Sequence, residues 1–523
     1  MESSSYTTSY WYYLQRSGFE LTEETMARVH QLLEATHWEE PQSPLDLNNY
    51  AVVALVEAEN SPDRVTREMY LELAIAALSE GAASHPLCAA HLAITQSLLG
   101  ARDEAIQQAF SSFMGGLQSF HTHEASPPGL IYLPLQWYAQ PKAHHDLLSE
   151  LLNPRAGDDQ SLLLLAEILQ QAQFVFYNAV GLRFLQLAIA LFPQSAFLQH
   201  KLGISSLMNS RWEGVLFLHR AQQQQPHNPL FLQALYLAYR DLDQPEQSNY
   251  WKETAQALKP PDTNTPEWQW IHLADSSQFT YVPFEPTLAL AVEPSFRSVV
   301  TGVLLAEGDW FEAEMEFWRD QAQPGMTVID VGANVGVYTF SAAQRVGVTG
   351  RVLAVEPFSG CVDCLAETRR VNHLDWVTIC RGAASDRNGT AHLALYSASE
   401  MNQVMTELES DASATATEAV PCFTLDTLME QEDLQRVDLL KIDAEGHELQ
   451  VLQGSDRLLK QHSPIILYEN IAGKQGSNLP VAEFLIENGY QLFRYQPFVK
   501  QLIPLSSLAE LQGNLNIIAL PAQ

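Results

Sequence analysis

The stretch Met326-Thr-Val-Ile-Asp-Val-Gly-Ala-Asn-Val-Gly-Val-Tyr-Thr339 decides the fold. Val328–Asp330 is a short apolar run that predicts a buried strand, and Val337–Arg345 predicts a helix. Between them, Asp330-Val-Gly-Ala-Asn-Val-Gly336 forms a turn in which Gly332 and Gly336 allow a tight reversal and close backbone approach. Further along, Arg351–Glu356, Trp376–Cys380, Val437–Asp443 and Pro464–Glu469 predict strands. Cys361–Val371, Glu448–Lys460 and Val481–Asn488 predict the helices between and after them. Strand and helix in alternation predict a parallel sheet with helices on both faces. Tyr490–Tyr495 and Leu515–Leu520 are strands with no helix between them, so the last is expected to run antiparallel. Ala398–Ala419, rich in Ser, Thr, Ala and Glu, reads as a mobile loop.

Ligands of open α/β sheets bind outside the carboxyl ends of the strands. The first turn is not the GxGxxG fingerprint of dinucleotide sites. Asp330 would oppose a pyrophosphate there and would suit an ammonium group. Glu356 closes the second strand 20 residues beyond Gly336, where an acid can accept hydrogen bonds from ribose hydroxyls. Glycines and two acids together favour an adenosyl ligand without a pyrophosphate. S-adenosylmethionine fits, having an ammonium, a carboxylate, a ribose and an adenine. At another strand end, Lys441-Ile-Asp-Ala-Glu-Gly-His-Glu448 places three carboxylates and a histidine within six residues.

Taken in order, these motifs resemble the FkbM-type methyltransferases. The resemblance is carried by Asp330-Val-Gly-Ala-Asn-Val-Gly-Val-Tyr-Thr339, Val355-Glu-Pro357, Gly382-Ala-Ala-Ser-Asp386, Leu425-Asp-Thr-Leu428 and Leu440-Lys-Ile-Asp-Ala-Glu-Gly-His-Glu448 with Val451-Leu-Gln-Gly454. It spans about residues 300–520 and implies a Rossmann-like class I methyltransferase domain that transfers methyl from S-adenosylmethionine, typically to a hydroxyl oxygen. It further implies that Asp330, Gly332, Asn334 and Gly336 hold the methionine end and Glu356 the ribose. The turn with Ala383 and Asp386 would border the adenine, and Asp443 and Glu445 would face the methyl and the acceptor. Either acid is then the first choice of general base. Asp443 with Glu469-Asn470 could instead hold a divalent cation. Nothing else in the sequence supports one, so no metal is expected.

From about residue 45 to 258 the sequence reads as helices only. Leu71, Ala74, Ile75 and Leu78 put one apolar stripe on a helix. Leu71-Glu-Leu-Ala-Ile-Ala-Ala-Leu returns as Leu185-Gln-Leu-Ala-Ile-Ala-Leu-Phe, and Pro193, Pro226 and Pro260 recur at 33 and 34 residues. With Leu202-Gly203 about ten residues after Pro193, this resembles tetratricopeptide repeats, which bind proteins or mediate assembly. His121, His123, His144 and His145 lack the cysteine or carboxylate spacing of a metal site. The expected architecture is thus an α-helical repeat solenoid over 1–258, a Pro-rich linker over 259–278, and an α/β domain over 279–523. A β hairpin or extended ribbon at Phe279–Val292 and helices over Val299–Ala322 open the latter.

Composition narrows the partners. The 523 residues carry 29 basic and 62 acidic side chains, a net charge of −33. Such a field repels phosphate backbones and anionic lipids, so neither nucleic acid nor membrane is expected. The start lacks the basic and apolar regions of a secretory signal, no transmembrane run is present, and five cysteines fit a reducing compartment, so a cytoplasmic location is expected. Cys361 and Cys364 read as two packed thiols on a helix. The expected partners are a small-molecule or glycan acceptor and a protein bound by the repeats. The competing reading is a methyltransferase-fold scaffold without activity; intact Asp330, Glu356 and Asp443 speak against decay.

Overall fold

The computed structural model describes residues 3–18, 22–119, 126–135, 141–152, 157–171, 182–183, 185–186, 189–190, 193–261, 265–396, 402–405, 416–470, 477–497 and 500–522. The side chains of His121, His123, His144 and His145, part of Leu185–Phe192 and most of Ala398–Ala419 lie outside the described residues. The chain divides into two compact units. One is Met1–Tyr239 with Ala306–Asp309, and the other is Arg240–Leu305 with Trp310–Gln523.

The first unit is helical. Its helices come in pairs, such as Pro44–Asn60 with Arg64–Gly81 and Ala196–Met208 with Gly214–Gln224. Small residues make the pairing tight. A side chain on Gly203 would strike Leu218, and one on Gly214 would strike the carbonyl of Gly203, so the two backbones meet where both lack a Cβ. Ser43, Asp63 and Ser195 cap helices through side-chain oxygens. No helix among the described residues is long and apolar enough to cross a membrane.

The division differs from the sequence expectation, since Pro245–Leu258 and the stretch expected as a linker both belong to the second unit. Packing explains this. Gln256 donates to the Ile271 carbonyl at 3.0 Å, Lys252 bonds Asp275 at 2.6 Å, and Trp268 and Trp270 are buried in the short helical turn Pro266–His272.

The second unit is α/β. Strands β1 (Thr280–Phe284) and β2 (Leu288–Val292) form an antiparallel hairpin, the first of the two forms expected there. They are followed by β3 (Thr327–Val331), β4 (Arg351–Glu356) and β5 (Val377–Arg381), then by β6 (Ala383–Ala384), β7 (Gly389–Leu395), β8 (Gln403–Met405) and β9 (Ala416–Phe423). The last strands are β10 (Leu439–Ile442), β11 (Ile465–Glu469), β12 (Tyr490–Gln496), β13 (Gln501–Pro504) and β14 (Asn516–Pro521). The main sheet runs β13-β12-β14-β11-β10-β3-β4-β5. β10, β11, β3, β4 and β5 are parallel, and β14 is antiparallel to β11, as the missing helix led us to expect. This is the Rossmann-like order, and its switch point lies between β3 and β10.

Two expectations change. Gln403–Met405 and the first half of Ala416–Phe423, expected within the loop Ala398–Ala419, belong to strands of a second sheet ordered β6-β9-β7-β8. The single helix expected over Glu448–Lys460 is two, Glu448–Gln453 and Asp456–His462, parted at Gly454 and Ser455. Cys361 and Cys364 are buried free thiols on the helix Ser359–Val371.

Candidate active site

The turn after β3 is pinned to its neighbour strand. The N–H groups of Gly332 and Ala333 both donate to the Val355 carbonyl, at 3.0 and 3.1 Å. Gly332 has φ +74°, and a side chain there would overlap the carbonyl oxygen of Asp443. Gly336, at φ +100°, has Phe340 in the place of a Cβ. Both glycines therefore have packing roles inside the chain, and Gly332 brings the β3 turn against the β10 loop. Asn334, at φ +51°, turns its Oδ1 back to the Val335 N–H at 2.7 Å.

Asp330 is buried. Its Oδ2 accepts from the Thr339 hydroxyl at 2.6 Å, while Oδ1 has no hydrogen-bond partner among the described residues. Burial raises its pKa, against Lys441 and Thr339, which lower it. Glu356, at the end of β4, accepts the Asn334 N–H on Oε2 and the Phe358 N–H on Oε1, each at 2.8 Å. Burial pushes its carboxyl up to about 7 despite those two donors.

Lys441 lies at the centre of the acids. Its ammonium is 2.7 Å from Asp443 Oδ2 and 4.6 Å from the centre of the Tyr338 ring. Burial opposes its charge, but Asp443, Asp330 and Glu312 outweigh burial and raise its pKa. Glu312 was not singled out from the sequence. Its Oε2 accepts from the Tyr338 hydroxyl at 2.5 Å and from Asn516 at 2.9 Å, which joins the segment before β3 to the last strand. No local spacing signals this, because its partners are far away in the chain.

The loop after β10 carries Asp443 and Glu445, both half-buried. Glu445 has φ +50° and Gly446 +93°. Glu448, fully buried, holds the loop from within. Its Oε1 accepts the N–H groups of Ala444 and Gly446, each at 3.0 Å, and its Oε2 accepts Asn478 at 3.0 Å. Asp443, Glu445 and Glu469 each offer a carboxylate oxygen, all within 4.8 Å of one another. Burial and the charges of Asp443, Glu445 and Glu448 drive the Glu469 carboxyl strongly upward, so it favours the protonated form. Asn470, which the cation reading paired with Glu469, accepts the Asn478 N–H on its Oδ1 at 3.1 Å and gives its amide N–H groups to the carbonyls of Leu511 and Asn514. The structure thus brings Asp330 and Glu356 to adjacent strand ends, and Asp443 and Glu445 to the strand on the other side of Asp330. Ala383 and Asp386 lie on and after β6, beyond the end of β5.

Residues 330–492 match the family model described as Methyltransferase FkbM domain, so the C-terminal region of this chain carries a methyltransferase domain. No curated relative matches the chain. Among solved structures, a methyltransferase FkbM from Methylobacillus flagellatus KT is 14% identical with a TM-score of 0.26, over 42% of this chain and 55% of that one. An O-methyltransferase from Bacillus cereus in complex with SAH is 15% identical with a TM-score of 0.24, over 40% of this chain and 80% of that one. A SAM-dependent methyltransferase from Aquifex aeolicus is 14% identical with a TM-score of 0.23, over 40% of this chain and 88% of that one. The chain spans little more than half the length of the first of these.

Proposed function

We propose that the second unit binds S-adenosylmethionine and methylates a hydroxyl oxygen on a sugar, polyketide or other small-molecule or glycan acceptor. The observation that carries the reading is the match at 330–492 together with the placement of Asp330, Glu356 and Asp443 at carboxyl ends of neighbouring strands around the switch point. The residues suit that cofactor. The buried Oδ1 of Asp330, which has no hydrogen-bond partner among the described residues, can accept from a cationic group. Each Glu356 oxygen has one bond to a backbone N–H and a lone pair left for a ribose hydroxyl. Asn334 and Gly336 shape the turn at the methionine end, and Ala383 and Asp386 border the adenine.

When bound, the cofactor supplies a methyl already activated by its sulfonium. The chain's own task is to hold the acceptor oxygen in line and keep water away. Lys441 fixes Asp443 through Oδ2 and leaves its Oδ1 for the acceptor hydroxyl. Asp443 or Glu445 takes the hydroxyl proton. The helical unit, with its repeated helix pairs, acts in protein recognition or assembly in the manner of tetratricopeptide repeats.

The test is incubation of the purified chain with deuteromethyl-labelled cofactor and a panel of sugars, polyols and phenols. The reading expects an alkali-stable methyl ether on at least one hydroxyl compound. Labelled product only on nitrogen or carboxylate acceptors would refute hydroxyl methylation.

A further inference from the structure

The loop that carries Asp443 and Glu445 is tied on its far side to the turn proposed to border the adenine. His447 caps the helix Glu448–Gln453, and its Nε2 lies 3.0 Å from the Ser385 hydroxyl oxygen. Both side chains are buried, at 8% and 4% exposure. The Ser385 hydroxyl also lies 3.2 Å from Asp386 Oδ1, to which it can only donate; while it donates there, it accepts from an N–H on His447 Nε2. The same serine meets the other end of the helix. A side chain on Gly454 would overlap the Ser385 carbonyl, and the Ser385 N–H is fixed on the Phe423 carbonyl at 2.9 Å. One residue of the β6 turn therefore clasps the helix after β10 at both ends.

We infer that Ser385 and His447 form a relay between the adenine turn and the acceptor loop, so that cofactor bound against Ala383 and Asp386 orders Asp443 and Glu445 for reaction. Both are positioning residues that act through the loop. The inference rests on the cofactor reading above. The path is a contiguous hydrogen-bonded chain, Asp386 to Ser385 to His447, ending on the loop whose amides at Ala444 and Gly446 are held by Glu448. A ligand that suppresses local opening of the turn suppresses opening of whatever is bonded to it.

Hydrogen exchange of the full chain, with and without S-adenosylhomocysteine, tests the relay. In the wild type the ligand slows exchange at 382–386, and slows 443–448 by roughly tenfold, within the usual range of coupling between sites. Ser385→Ala and His447→Ala keep the slowing at 382–386 and lose it at 443–448. His447→Gln, whose amide supplies an N–H near the position of Nε2, restores most of it. Unchanged exchange in β3 and β4 without ligand shows that each variant is folded. Full slowing at 443–448 in both Ser385→Ala and His447→Ala overturns the relay while leaving the cofactor reading intact. No slowing anywhere in the wild type overturns the cofactor reading, and the relay with it.

Discussion

The raised pKa of Glu356 makes cofactor binding depend on pH in a direction that can be worked out. Its carboxyl is 6% exposed and is pushed up to about 7, chiefly by burial. A ribose hydroxyl that donates to it stabilises the ionised form, so the ligand binds the carboxylate in preference to the acid. At pH 8 about nine in ten free molecules hold the carboxylate, and at pH 6 about one in ten. Affinity should therefore fall by about tenfold, or ~1.4 kcal/mol, from pH 8 to pH 6, and binding near neutrality should release protons. Glu356→Gln removes the titration. Its affinity should be ~1–3 kcal/mol weaker at pH 8 and should lack the slope contributed by the carboxylate. Titration calorimetry with S-adenosylhomocysteine at pH 6, 7 and 8, in two buffers of different ionisation heat, reads affinity and proton release together. Comparing the two proteins cancels any titration of the ligand itself. A wild type with flat affinity, or a slope that survives unchanged in Glu356→Gln, refutes the reasoning.

Other outcomes follow from the same geometry. Asp443→Asn or Glu445→Gln should lower turnover by roughly 10²–10⁴-fold and leave cofactor affinity nearly unchanged; single-turnover assays beside calorimetry separate the two effects. Lys441→Met leaves Asp330, Glu312 and Asp443 without their shared cation, at a cost of about 3–5 kcal/mol in denaturant unfolding of the second unit. That cost should shrink as pH falls, because Asp330 and Glu312 already have raised pKa values and protonation removes the unpaired charge. Gly332→Ala combines a left-handed backbone with overlap on Asp443, and should destabilise the second unit by roughly 2–5 kcal/mol in the same measurement. Because Lys441 already neutralises Asp443, turnover should be unchanged by EDTA; loss that magnesium restores would make Asp443, Glu445 and Glu469 a cation site.

The parallel sheet was legible because its strands are short apolar runs closed by chemically distinctive residues, Asp330, Glu356 and Asp443. Those same residues marked the candidate site, since a carboxylate at a buried strand end must find a partner. Ala416–Phe423 escaped notice because its alternation uses small and polar residues, with only Val420 and Cys422 buried along it. Gly454 did mark a helix break, but its reason, the Ser385 carbonyl, is 69 residues away in the chain and invisible to local pattern. Glu312 and Glu448 are similar cases. Each matters through bonds to distant partners, Tyr338 and Asn516 for one and Asn478 for the other. The 259–266 breaker cluster looked like a boundary because Pro and Thr dominate it, yet the tryptophans just beyond bury against the second unit.

The central claim is that the second unit holds S-adenosylmethionine at the switch point between β3 and β10. Titration of the full chain with that cofactor, beside the variant Asp330→Ala, tests it most directly. The account predicts saturable binding of one molecule per chain, weakened at least tenfold by the variant, which removes a buried carboxylate oxygen that has no hydrogen-bond partner among the described residues. Absence of binding by the folded wild type, or equal binding by Asp330→Ala, would contradict it.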